Sequence, residues 1–186
     1  MHTLTREAIL ASRKYLYYSI GGAAFSFIGM IFILVYGNTS EFILGGVLNP
    51  EALVGRENIF LLIYVMSFFG FGVKAAICPL NSWLPQAGVA PTPVTALLHA
   101  VAVVKSGAFA IMRLTFYCFG TEFLRGTWAQ YLLMGVVMFT IVYGCSMALK
   151  ETHLKRRLAY STISNLSYIL FGVVIMTPLG LTAALS

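Results

Sequence analysis

Residues 69–88 read "FGFGVKAAICPLNSWLPQAG": a lysine inside one of the most apolar stretches of the chain, with a proline five positions on. Neither is cheap at membrane depth. A lysine near the bilayer middle costs ~2.5–3.5 kcal/mol on insertion scales. Pro79 removes a backbone donor and clashes with the turn before it, and in lipid the freed carbonyls must be satisfied by protein or water. A lysine beside a broken helix therefore predicts a hydrated, protein-facing interior. Snorkelling, in which the stem carries the ammonium to the headgroups, is the weaker reading for Lys74, because "AAICPLNSWLPQA" continues the apolar chain beyond it. Ser67 and Gly70, seven and four residues earlier, fall on its helical face.

Working outward, the surroundings read as a membrane protein. The chain has 186 residues, of which 59% are hydrophobic and 10% charged, with a mean hydropathy of +0.87. A soluble domain needs more polar surface than that. Tyr15–Gly37, Gly126–Leu149 and Leu158–Ser186 contain no Asp, Glu, Lys, Arg or His, and each exceeds the ~20 residues that cross a hydrocarbon core. Two more helices fit between Asn58 and Phe116, separated by "PLNSWLPQAGVAPTP". We expect an all-α integral membrane protein of five transmembrane helices, at about 15–36, 58–87 (broken near Pro79), 94–117, 127–149 and 158–178. They form a single membrane domain over 1–186, with no internal repeat and no linker.

The net charge of +6 is informative through its placement. Arg6, Arg13 and Lys14 precede the first helix, and Lys150, Lys155, Arg156 and Arg157 lie between the fourth and fifth. The other two loops carry only Arg56 and Arg125, among glutamates. By the positive-inside rule the arm 1–14 and the 150–157 loop are cytoplasmic, in a multi-pass protein of the cell's inner membrane. Topology accounts for these cations, so nucleic acid is not implied, while contacts with anionic lipid are expected. The arm lacks the apolar core and cleavage site of a signal peptide. Cys78, Cys118 and Cys145 have neither CxxC spacing nor a histidine partner, so they support no metal site and no disulfide.

Three positions carry the candidate chemistry. A lysine stripped of water gives up its proton readily, which makes Lys74 a candidate proton relay. His99 and Lys105, in "VTALLHAVAVVKSGAF", supply two more titratable groups one helix away. Thr95, His99 and Ser106 share one face of a regular helix, while Lys105 projects ~120° from His99. Either both border a wide cavity, or a distortion near Ser106–Gly107 aligns them. Ser161, Asn165 and Tyr168 form a further polar stripe, read either as lining or as interhelical hydrogen bonding. Ser19, Gly22 and Ser26 mark a close helix contact on the first span. Arg113, near the outer end of its helix, reads as snorkelling.

The segments "GFGVKAAICPLNSWLPQAGVAPTPVTALLHAVAVVKSGAFAIMR" and "LKRRLAYSTISNLSYI" resemble the antiporter-like membrane subunits of respiratory complex I, of Mrp-type cation/proton antiporters and of membrane-bound hydrogenases. The resemblance implies a subunit that moves protons, or sodium against protons, through two inverted five-helix repeats, with other membrane subunits as partners and no cofactor or redox centre of its own. It aligns Lys74 with the family's broken-helix lysine, Pro79 with its break, and His99 and Lys105 with the titratable positions of the next helix. The family's "PLHxWLPDAH" reads "PLNSWLPQAG" here, with Asn81, Gln86 and Gly88 in place of more titratable groups. The partner glutamate and the second repeat have no counterpart, so the chain is expected to be an internal fragment that works with the missing helices. Two functions follow: a proton half-channel around Lys74, His99 and Lys105, or a non-conducting scaffold within a larger complex. A haem enzyme is disfavoured, since His99 has no intramembrane histidine partner.

Overall fold

The computed structural model describes residues 5–186, the side chains at 52 and 53 excepted. The long elements are all helical: α1 (Arg6–Tyr36), α2 (Glu57–Ala75), α3 (Thr92–Phe119), α4 (Trp128–Lys150) and α5 (Leu154–Val174), followed by a short α6 (Pro178–Leu185). Four of them, α1 to α4, are long and apolar enough to cross a membrane. Five had been expected. The helix that falls outside this set is α5, which opens on Lys155, Arg156 and Arg157 and carries Ser161 and Asn165 along its middle.

The first helix begins well before the predicted boundary. Thr5 caps it, its hydroxyl accepting from the Ala8 N–H at 3.4 Å, and Glu7 sits favourably in the first turn. The described part of the expected polar arm is therefore helical, as strong formers such as Ala8, Leu10 and Ala11 allow. Residues 1–4 of that arm lie outside the described residues.

Small residues bring α1 and α2 together. A side chain at Gly70 would meet the Gly22 carbonyl at 2.7 Å, and one at Gly29 would overlap the Ser67 hydroxyl. The stripe Gly22–Ser26 is the contact face, with the Ser26 hydroxyl turned back onto the Gly22 carbonyl at 3.0 Å. α3 lies across the other side of α2, and α4 and α5 form an antiparallel hairpin beside it. The open end of that hairpin is stitched. At the α4 N-terminus Arg125 donates to the Met176 carbonyl, and Gln130 donates to Val174 at 3.1 Å. α6 folds back on α5, with Gly180 against Gly172.

The loop after α1 is docked, not free. Asn38 donates to the Val47 carbonyl at 2.7 Å, and Gly45 and Val47 donate to Phe116 and Cys118 at 3.1 Å each. Arg113 belongs to this arrangement. Its guanidinium lies 5.2 Å from the Phe42 ring, 5.0 Å from Phe109 and 4.9 Å from Tyr117. The guanidinium thus sits in an aromatic cradle, whose ring faces attract the cation.

Candidate functional site

The helix carrying Lys74 ends at Ala75, upstream of Pro79. Ala76 adopts a left-handed conformation (φ 57°, ψ 48°), and the next helical turn is Trp83–Gln86. The stop precedes the proline because the residue before a proline disfavours the helical region, so the reversal must be completed earlier. Its polar groups are then accounted for one at a time. The Ala76 N–H donates to Val73 at 3.3 Å and the Ile77 N–H to Gly72 at 3.0 Å, closing the helix end. The indole of Trp83, only 2% exposed, donates to the Val73 carbonyl at 2.8 Å. The Cys78 N–H donates to the Thr140 hydroxyl of α4 at 3.1 Å. From α1, Tyr15 packs its ring 5.1 Å from that of Trp83, and the Tyr18 hydroxyl is 3.0 Å from that of Ser82. Neighbouring helices thus supply what water would supply elsewhere.

Lys74 is exposed and faces a cleft of about 380 Å³ between α1, α2 and α3. Ser19, Ser26, Gly70, Ser106 and Gly107 share the lining. Gly107 matters to the geometry: a side chain there would meet the Lys74 Cβ at 2.9 Å and the Ala75 nitrogen at 2.7 Å. The Ser106 hydroxyl donates to its own helix, to Val103 at 2.8 Å, and so faces the cleft as an acceptor. No carboxylate lines the cleft, and among the described residues the one ion pair is Arg156 with Glu151 at 3.9 Å. A cation in the last turn of a helix is favoured by the helix end, yet Trp83 has already engaged one of those carbonyls. The cleft can hold water and a proton donor. It does not hold a countercharge.

The other predicted residues do not converge on it. His99 is 8% exposed and sits in a π-helical turn, Leu97–Val101, closed by Ala102 donating to Leu97 at 3.2 Å. Its Nε2 is buried without a hydrogen-bond partner, and it does not line the Lys74 cleft. Lys105 is exposed and also lies outside that lining. The distortion expected near Ser106–Gly107 is found earlier, at 97–102, and Ser106 is back in regular register with Ala102 at 2.9 Å. One residue too many in that turn splits the predicted face. Thr95 is buried and spends its hydroxyl on Ala90 and Pro91, at 3.1 and 3.2 Å, while Ser106 reaches the cleft. Ser67 is also displaced from its expected place with Lys74: it is fully buried against α1 and its hydroxyl has no partner.

Ser161, Asn165 and Tyr168 are brought together, along a separate groove of about 590 Å³ shared with Cys145, Arg157 and Ser164. All three are exposed. Of the polar groups in that groove, Ser164 is paired, with the Cys145 sulfur at 3.0 Å. Among the described residues no group of three His, Cys, Asp or Glu could hold a metal. Sequence reasoning missed Thr140, Tyr18 and the indole of Trp83 as partners of the segment at and after the end of α2. Trp83 lay within the decisive stretch, but nothing in a lone mid-helix threonine announces a partner 62 positions away.

Comparison with known proteins bears on the family and the fold. A sequence profile described as NADH:quinone oxidoreductase/Mrp antiporter, TM, matches residues 2–186. The chain is 33% identical over 181 residues to NAD(P)H-quinone oxidoreductase chain 4-3 of Nostoc sp., covering 94% of this chain and 30% of that protein. It is 31% identical over 182 residues to the chloroplastic chain 4 of Jasminum nudiflorum, covering 97% and 35%. Among solved structures it superposes on the Mrp complex of Dietzia sp. with a TM-score of 0.79 at 24% identity, covering 97% of this chain and 32% of that one. A second match is the membrane-bound sulfane sulfur reductase, an archaeal respiratory complex, with a TM-score of 0.71 at 27% identity, covering 92% and 34%. The chain spans about a third of the length of the relatives it matches.

Proposed function

Because the chain belongs to the NADH:quinone oxidoreductase/Mrp antiporter transmembrane family, whose related proteins are subunits of multi-subunit membrane complexes, we propose that it forms part of a proton path. The observation that carries this reading is Lys74 at the interrupted end of α2, facing a cleft lined by serine hydroxyls. On this reading α2 and the turns Trp83–Val89 make one discontinuous transmembrane helix. The separate burial of His99, with an unpartnered ring nitrogen, suits a second station reached through water, and Lys105 a third. The missing countercharge for Lys74 comes from outside these residues, on another helix of the same subunit or a neighbour. The transported ion is a proton, or sodium exchanged for protons.

We also read α5 as a fifth span. At ~1.5 Å per residue its 21 residues match a ~30 Å core, and it runs antiparallel beside α4 with its C-terminal end tied to the start of α4. Five spans place the α1 start and residues 150–157 on the cytoplasmic side. Single cysteines at Thr152 and Ser40, in a background without the native three, are expected to label from opposite faces of the inner membrane. Labelling from one face rejects the five-span arrangement.

The scaffold reading draws on one observation, the failure of Lys74, His99 and Lys105 to line one cavity. Flux separates the two. The 186-residue chain reconstituted alone is expected to show no potential-driven proton flux, and the complete subunit containing these residues is expected to show it. A silent complete subunit decides for the scaffold.

A further inference from the structure

The strip Ala87–Val89 runs between the first turns of α1 and the start of α5. Val89, 39% exposed, is a wall common to two crevices. One, of about 470 Å³, has Glu7, His153, Lys155 and Arg156 on its walls. The other, of about 220 Å³, is lined by Ala8, Ala11, Tyr15, Val94 and Leu98. A charged chamber and an apolar one therefore adjoin at a single side chain, at the end of the bundle where the basic residues gather. A free anion has no use for the apolar crevice, and a hydrocarbon has none for the cations. An amphiphile uses both.

We infer that one aminophospholipid binds across Val89, its phosphate between Lys155 and Arg156 and an acyl chain beside Ala11 and Leu98. The two cations are loosely engaged: Lys155 reaches the Ala90 carbonyl at 3.4 Å, and Arg156 lies 3.9 Å from Glu151. Both distances are long for charge-assisted bonds, so a phosphate competes easily for them. Glu7 lines the same chamber and has no ion pair among the described residues. A carboxylate and two cations lining one chamber match a zwitterionic headgroup, which brings an ammonium as well as a phosphate. This site stands apart from the Lys74 cleft and needs no ion transport.

Native mass spectrometry of the 186-residue chain in detergent, titrated with phosphatidylethanolamine, phosphatidylglycerol or glycerophosphoethanolamine, tests it. One saturable phosphatidylethanolamine adduct is expected, with phosphatidylglycerol about threefold weaker and the chain-free headgroup unbound at the same concentration. Glu7→Gln removes the preference between the two lipids. Lys155→Glu weakens phosphatidylethanolamine about tenfold, whereas Lys150→Glu, the same charge change outside the chamber, leaves it within about twofold. Ala11→Phe, which fills the apolar crevice, weakens it about fivefold. Circular dichroism checks each variant, and Lys155→Gln replaces any that loses helicity, with the same direction expected. Non-saturating adducts indifferent to these changes, or headgroup binding as tight as that of the intact lipid, would overturn the site. Equal binding of the two lipids by the unmodified chain would overturn the role of Glu7.

Discussion

Lys74→Ala is expected to abolish proton translocation by the complete subunit while membrane insertion proceeds at the unmodified level. The two readouts move independently for a physical reason. Deleting an intramembrane ammonium makes insertion easier, so lost flux cannot be charged to poor integration. The cleft offers no replacement, since its other polar members are hydroxyls, which neither hold nor release a proton near neutral pH. Lys74→Arg is expected to fail as well, because a guanidinium stays protonated and is bulkier beside Gly107. Quenching of a pH-sensitive dye in proteoliposomes, set against protein content in the same vesicles, reads both quantities. Flux near the unmodified level in the alanine variant would make Lys74 a structural residue.

Gly70→Leu is expected to separate α1 from α2, with a loss of about 3 kcal/mol or more from overpacking. The obstacle at Gly70 is backbone, the Gly22 carbonyl and the Ser26 nitrogen each at 2.7 Å, and backbone cannot rotate away as a side chain can. Close approach of this kind drives helix association in lipid, where no hydrophobic force acts between helices. Gly21→Ala is the control: nothing lies within 4 Å of a Cβ there, and it is expected to leave stability unchanged or raise it by up to ~1 kcal/mol, the cost of glycine in a helix interior. Unfolding in a denaturing detergent, followed by circular dichroism, measures the pair. A Gly70→Leu chain as stable as the Gly21→Ala chain would refute the α1–α2 contact.

The contrast between these glycines shows what was legible. Small residues at four-residue spacing, Gly22 and Ser26, pointed to a close contact, and the contact is there. Burial was harder to read, because in lipid both faces of a helix are apolar and periodicity carries little signal. Ser67 illustrates this: its spacing from Lys74 fits one face, yet it is turned into α1 against Gly29. Pro79 in an apolar run pointed to a disturbance of the helix nearby, but the place where α2 ends, at Ala75, was not legible, since the left-handed residue after it is an alanine, which pays ~1–2 kcal/mol there. The cradle around Arg113 was not legible, because its rings include Phe42, from a loop distant in sequence. The first of the two wide stretches of α3, Leu97–Val101, left no trace at all. "LLHAV" contains no proline or glycine, so the phase of His99 against Ser106 could not be counted correctly.

That wide turn has a consequence for how such chains diverge. A π turn is one residue inserted into an α-helix without a compensating loop, so in genetic terms it is worth a single codon. Loss of one codon among positions 97–101 would restore an ordinary helix, and because the wide turn spends its extra residue within about one turn of rotation, the segments on either side would keep their facing. Thr95 on one side and Lys105, Ser106 and Gly107 on the other would then keep their neighbours, and the change would be confined to the turn that carries His99. That turn is thus a unit that can be gained or lost by itself, and the surroundings of the buried imidazole can be altered without touching the residues around Lys74.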